Sequence, residues 1–155
     1  MENKMIRKAN HLIEASYKLS AVEQKVVAIL ASAIKPDDED FKTYPIKIKD
    51  FLAFTGTSSN NYDRMEEVIL GLKEKNLKII YPDENGKKVI LNVSWVSSTK
   101  YTEGSGIIDL RFDPTLKPFF LQLKNRFTNY RLKNVIQLRS QFSIRIYELL
   151  KQYEK

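Results

Sequence analysis

The chain predicts an α+β fold, and three observations carry the prediction. Two helical segments, 49–54 and about 61–75, flank the glycine-containing turn Thr55-Gly56-Thr57-Ser58-Ser59. Two β-rich runs follow at once, 77–81 and 87–97, joined through Asn85-Gly86, a strong hairpin signal. A strongly amphipathic segment, 138–153, ends the sequence. Helix, turn, helix and then a β-hairpin is the element order of a winged helix. The predicted fold is therefore a winged helix with additional C-terminal helices.

Each element has a local reason. Residues 10–17 read as a short strand or an extended arm, carrying His11, the chain's single histidine. Ser20-Ala-Val-Glu23 is a capping box and opens a helix to about Ile34, with Val22, Val26, Ile29, Leu30 and Ile34 on its buried face. Pro36 and the acidic run Asp37 to Asp40 end that helix in an exposed loop. Tyr44, Ile46 and Ile48 alternate with Pro45 and Lys47, which predicts a strand. Asn60 or Asn61 caps the second helix of the pair, which buries Tyr62, Met65, Val68, Ile69 and Leu72.

In the hairpin, Val89, Leu91, Val93 and Trp95 alternate with Ile90, Asn92 and Ser94, and Lys87 and Lys88 stand at the tip of the expected wing. A third strand runs over 107–112, with Ile108, Leu110 and Phe112 toward the core. Asp113-Pro114 supplies an N-cap and a first-turn proline for a helix to about Lys124. Residues 128–131 suggest a short strand and 132–138 a helical turn. The closing helix is expected to bury Phe142, Ile146, Leu149, Leu150 and Tyr153, with Ser140 or Ser143 capping its start.

Composition narrows the function classes. The 155 residues correspond to one ordinary domain, 43% hydrophobic and 29% charged. There is no cysteine, so disulfides, thiolate metal sites and cysteine nucleophiles are excluded. The N-terminus lacks the apolar stretch of a signal peptide, and the longest unbroken apolar run is Val26 to Ala31. A soluble intracellular protein is the expectation.

With one histidine, no cysteine and no phosphate-cradling glycine loop, no catalytic constellation can be assembled. The run Asp37–Asp40 lacks the alternation, glycine and closing glutamate of an EF-hand. No enzyme activity, cofactor or metal is expected.

Charge is unevenly placed. Of the net +7, none lies in residues 1–116, which hold 17 basic and 17 acidic residues; residues 117–155 hold nine basic and two acidic ones. Phe119, Phe120, Phe127, Tyr130, Phe142, Tyr147 and Tyr153 are interleaved with those cations. Such a segment is an electrostatic footprint for a polyanion, most often nucleic acid, the plain alternative being a solvated basic face.

The start of the second helix offers Ser58, Ser59, Asn60, Asn61 and Arg64, types that hydrogen-bond base edges or phosphates. From Asn60 to Lys88, however, six basic and six acidic residues cancel. The helix is thus expected to make a contributory contact, while phosphates are held by Lys87, Lys88, Arg126, Arg131, Lys133, Arg139 and Lys151. Arg145 either joins them or pairs with an acid across the fold.

Three segments resemble the initiator replication (Rep) proteins of iteron-type, theta-replicating plasmids. They are residues 10–20 leading into Glu23 and Gln24; Ile108-Asp-Leu-Arg-Phe-Asp-Pro-Thr-Leu-Lys-Pro118; and Phe127-Thr-Asn-Tyr130 followed by residues 138–153. The resemblance implies a bacterial cytoplasmic protein that binds repeated double-stranded DNA sites at a plasmid origin, helps open the duplex and recruits host replication proteins. It implies tandem winged helices, of which this chain corresponds to the first, the one given largely to dimerisation and accessory DNA contact. Self-association is expected through the sheet near Ile107, Ile108, Leu110 and Phe112, with no membrane partner. The competing readings are a winged-helix transcriptional regulator and a dimerisation module without DNA contact.

Overall fold

The computed structural model describes residues 4–56 and 61–154. At its centre lies α2 (Ala21–Ser32), whose residues from Glu23 to Ser32 are all buried. Both bonds of the predicted capping box form. The Glu23 amide donates to Ser20 Oγ at 3.1 Å, and the Ser20 amide donates to Glu23 Oε1 at 2.8 Å. Burying Val26, Val27, Ile29 and Leu30 stabilises the fold by roughly 2 kcal/mol each.

Three small antiparallel sheets surround this helix. The first pairs β1 (Met5–Ala9) with β8 (Phe127–Arg131), Met5 opposite Arg131. The N-terminal strand escapes sequence analysis because Lys8 is buried where an apolar residue would mark the alternation. The expected arm over 10–17 is instead a helical turn, α1 (Asn10–Ile13), and the two-residue strand β2 (Ser16–Tyr17). The second sheet has the order β2–β4–β5, with β4 (Asn76–Pro82) and β5 (Lys88–Ser94) forming the Asn-Gly hairpin.

The third sheet has the order β3–β7–β6, from β3 (Tyr44–Lys47), β6 (Val96–Tyr101) and β7 (Ile107–Phe112). The expected single run over 87–97 is split at Trp95. Trp95 and Val96 are both buried in succession, and no strand with one covered face accommodates that. The chain therefore crosses from the second sheet to the third. The Trp95 amide donates to the Lys75 carbonyl at 3.2 Å, and its own carbonyl accepts from Asp113 at 3.1 Å.

The helix pair is α3 (Ile48–Thr55) and α4 (Tyr62–Gly71), the latter followed by a 3₁₀ turn, Leu72–Glu74. Gly56 ends α3 at φ +70°, a left-handed position that suits glycine. After β7, Asp113 caps as expected by accepting from Thr115 N at 2.8 Å. The expected helix to Lys124 stops early, as a 3₁₀ turn and the four-residue α5 (Lys117–Phe120). Phe119, Phe120 and Leu121 are buried consecutively, which one helix face cannot accommodate, and Gln122 then turns left-handed at φ +50°.

After β8 come α6 (Leu132–Ile136) and α7 (Gln141–Gln152), where Ser140 caps α7 by accepting from Ser143 N at 3.0 Å. The buried face of α7 is largely the reverse of the expected one, only Leu149 of the five expected residues being half-buried. Ile144 and Glu148 are buried, while Phe142, Ile146, Leu150 and Tyr153 are 69, 56, 68 and 75% exposed. The helix is held by polar groups instead. Lys8 Nζ lies 2.6 Å from Glu148 Oε2, the Tyr130 hydroxyl donates to the same carboxylate, and Asn134 Nδ2 donates to Tyr147 Oη at 3.0 Å.

β7 also corrects an expectation. It is the middle strand, paired on one side with β3 and on the other with β6, and Ile108, Leu110 and Phe112 are core residues. With both edges used, the strand that carries Ile107 has none to offer a second copy; the edge strands of this sheet are β3 and β6.

Candidate nucleic-acid interface

The helix pair acquires its neighbours through the β3–β7–β6 sheet. β3 runs directly into α3, and the Ile48 amide at the start of α3 donates to the Gly106 carbonyl at 3.0 Å. Gly106 lies in the turn between β6 and β7 at φ +70°, and a Cβ placed there would come 3.0 Å from Tyr62 Oη at the start of α4. Ser105 stiffens the turn, its amide donating to the Thr102 carbonyl at 3.0 Å and its hydroxyl accepting from Ile107 N at 3.1 Å. The β6–β7 hairpin is therefore the wing beside the helix-turn-helix.

This corrects the placement of the wing at β4–β5. That hairpin belongs to the second sheet, and its Tyr81 ring meets His11 at 6.4 Å and Phe119 at 5.5 Å, on the side of α1 and α5. Its tip is well built. Asp83 Oδ1 accepts from Asn85 N and Lys87 N, each at 2.8 Å, and Gly86 sits at φ +78°. Lys87 and Lys88 are exposed there, away from the wing that flanks α4.

The ends of α3 and α4 and the turn of the true wing enclose an open cleft of about 710 Å³, lined among others by Lys47, Lys49, Tyr62, Tyr101 and Ser105. Partial burial first, then the neighbouring Tyr101, pushes the Tyr62 phenol above its ordinary range; like any phenol, it is a hydrogen-bond donor at neutral pH. Two ammonium groups and several hydroxyls, against the single carboxylate of Asp50, line the concave surface and leave it suited to an anionic oxygen. None of these five was expected at a binding site; Tyr62 was expected to be buried on the second helix, and it is half-buried. Lys47 and Lys49 flank the junction of β3 and α3, and only the pairing of β3 with β7 brings them to the wing.

Of the residues expected at the start of α4, Asn61 is exposed at the N-cap position, where its side chain makes none of the expected capping bonds, and Arg64 is exposed in the first turn, whereas Ser58, Ser59 and Asn60 lie outside the described residues. The C-terminal cations are not gathered into one patch. Arg126 and Arg131 bracket β8, about 17 Å apart at the rise of an antiparallel strand. Arg126 is left-handed at φ +50°, its carbonyl accepting from Asn10 N at 2.8 Å. Lys133 is exposed on α6 and Arg139 in the turn before α7; Lys151 is on the last turn of α7, 3.0 Å from Glu154. Arg145 is structural. Its guanidinium stacks 4.1 Å from the Tyr17 ring centroid and donates to the Ala15 carbonyl at 2.9 Å, not to an acid.

The acidic loop is also structural. Asp40 Oδ1 lies 3.0 Å from Lys117 Nζ and 3.3 Å from Arg111 Nη2, and the hydrogen bond from Lys117 holds its carboxyl below the usual range. No group of three or more metal-ligating side chains occurs among the described residues. No helix among them is long and apolar enough to cross a membrane.

The family model described as "Initiator Replication protein, WH1" matches residues 5–151. The chain belongs to this initiator replication protein family. An uncharacterized 27.6 kDa protein of Escherichia coli is 25% identical over 162 residues, covering 96% of this chain and 66% of that protein. A replication initiation protein of Escherichia coli is 25% identical over 155 residues, covering 97% of this chain and 47% of its own length. The WH1 chain thus spans between about half and two thirds of these relatives. Among solved structures, the Pi initiator protein in complex with iteron DNA superposes with a TM-score of 0.76 at 19% identity, covering 100% of this chain and 66% of that one. The MSBI1.176 WH1 domain, from a replication protein isolated from a multiple sclerosis patient, gives 0.50 at 15% identity, covering 85% and 88%. These two likenesses establish the winged-helix fold.

Proposed function

We propose that this WH1 chain is part of a bacterial plasmid replication initiator and contacts duplex DNA at origin repeats, without catalysis. The observation that carries the proposal is the convergence of α3, α4 and the β6–β7 wing around Lys47, Lys49, Tyr62 and Ser105. Asn61 and Arg64 extend that surface along the first turn of α4. Asp63, Glu66 and Glu67 share the helix and repel phosphate, so α4 makes only a contributory contact and the phosphate contact falls to Lys47 and Lys49. The partner is taken from the DNA complex of Pi, a structural relative. Lys87, Lys88 and the cations of β8, α6 and α7 supply a diffuse positive field that raises the rate of encounter.

Dimerisation belongs to the same proposal, through an edge strand in place of β7. Pro45 interrupts the donor row of β3, which leaves β6 the more open edge. Association with host replication proteins, in the cytoplasm, completes the assignment.

A fluorescence anisotropy titration against an origin-repeat duplex over a salt series tests the DNA contact. The logarithm of affinity is expected to fall linearly with the logarithm of salt, and Lys47→Ala with Lys49→Ala to flatten the slope by about 2, roughly one per lost phosphate contact. An unchanged slope in that variant contradicts the assignment.

A further inference from the structure

Among the described residues seven large hydrophobic side chains are exposed, and four of them, Phe142, Ile146, Leu150 and Tyr153, lie on α7. Their spacing of four, four and three residues places them on one stripe about 16 Å long at the helical rise. The helix does not need this stripe for attachment, because Ile144 and the Lys8–Glu148–Tyr130 cluster hold the opposite face. A contiguous exposed apolar surface on an otherwise polar helix marks an interaction site.

Charge decides what covers it. Arg139 is exposed at the head of the stripe and makes no ion pair among the described residues. Beside Phe142 opens a cleft of about 710 Å³ whose lining includes Lys18, Lys75 and Arg145, against a single carboxylate, Glu23. Lys75 reaches Glu23 at 3.8 Å, Lys151 is matched by Glu154 at the far end, and Arg145 is engaged by Tyr17 and Ala15, so Lys18 and Arg139 are the cations here without an ion pair among the described residues. A second copy would press this cationic region against itself, in a chain whose whole +7 lies beyond residue 116. We propose that the outer face of α7 docks an amphipathic helix of another protein whose apolar stripe is flanked by aspartate and glutamate. The apolar stripe packs on Ile146 and Leu150, and the carboxylates meet Arg139 and Lys18.

The probe is a labelled synthetic helical peptide with leucine at every third and fourth position and glutamate on both flanks, alongside a twin with lysine in place of glutamate. Titrated with the intact chain, the acidic peptide is expected to bind at least about tenfold more tightly than its twin, the margin narrowing as salt rises from about 0.1 to 0.5 M. Ile146→Ser with Leu150→Ser is expected to weaken it at least about tenfold, with the urea midpoint of the chain unchanged. Equal binding of the two peptides, or undiminished binding by that variant, overturns the proposal. So does a sedimentation experiment in which the chain dimerises and the variant does not, since that places a second copy on the stripe.

Discussion

Glu148 shows most clearly what one residue does in this fold. It is 2% exposed and receives Lys8, itself 4% exposed, and the Tyr130 hydroxyl. Glu148→Ala leaves a buried ammonium without its partner and is expected to cost about 3–5 kcal/mol, read from the urea midpoint. Replacing Lys8 and Glu148 together by apolar residues of similar size should cost far less. The same cluster sets an alkaline limit. Burial, and then the charge of Glu148, pushes the Tyr130 phenol well above about 10, and Tyr17 is raised for the same reasons. Because the folded phenols hold their protons longer, their contribution is complete below about pH 10. It is lost above, by up to about 1.4 kcal/mol per pH unit for each group, as the unfolded chain ionises first. Stability measured by urea at about pH 9 and pH 11 should therefore fall, and a flat profile contradicts the assignment. None of this is legible in the sequence, where Lys8 and Glu148, 140 positions apart, each resemble an exposed charge. Ser20 with Glu23, and Asp113 with Thr115, are legible because their chemistry is complete within four residues.

At the scale of elements, periodicity located α2, α3, α4, β7 and α7 and gave the buried faces of α2, α4 and β7, where Val26, Ile29, Met65, Ile69, Ile108 and Leu110 are core residues, but it turned α7 the wrong way. On α7 the apolar stripe was legible and its direction was not, since spacing identifies a face without saying what covers it. The consequence is measurable. Leu150→Ser on the exposed stripe is expected to change stability by less than about 0.5 kcal/mol, whereas Ile144→Ala on the buried face should cost about 2–4 kcal/mol. Thermal unfolding of the two variants separates them, and the reverse order would mean that the stripe faces the core. The wing was misplaced for a related reason. Two hairpins follow α4, and Asn85-Gly86 advertises the first far more strongly than Gly104-Ser-Gly106 advertises the second. Only the pairing of β3 with β7 identifies the second as the neighbour of the helix-turn-helix.

For the whole molecule, the uneven charge was legible but its spatial distribution was not. The C-terminal surplus is spread along β8, α6 and α7, while the concave site that suits phosphate belongs to the neutral first three quarters of the chain. Affinity for duplex DNA then comes from a few well-placed groups at the helix-turn-helix and wing, assisted by a diffuse field. Amide chemical shifts of the chain, recorded as an origin-repeat duplex is added, report that arrangement directly. The amides of Lys47–Asp50, Asn61–Arg64 and Lys100–Ile107 are predicted to move together. Shifts confined to Asp83–Lys88 and to the cations of β8, α6 and α7, with the β6–β7 turn unmoved, would contradict it.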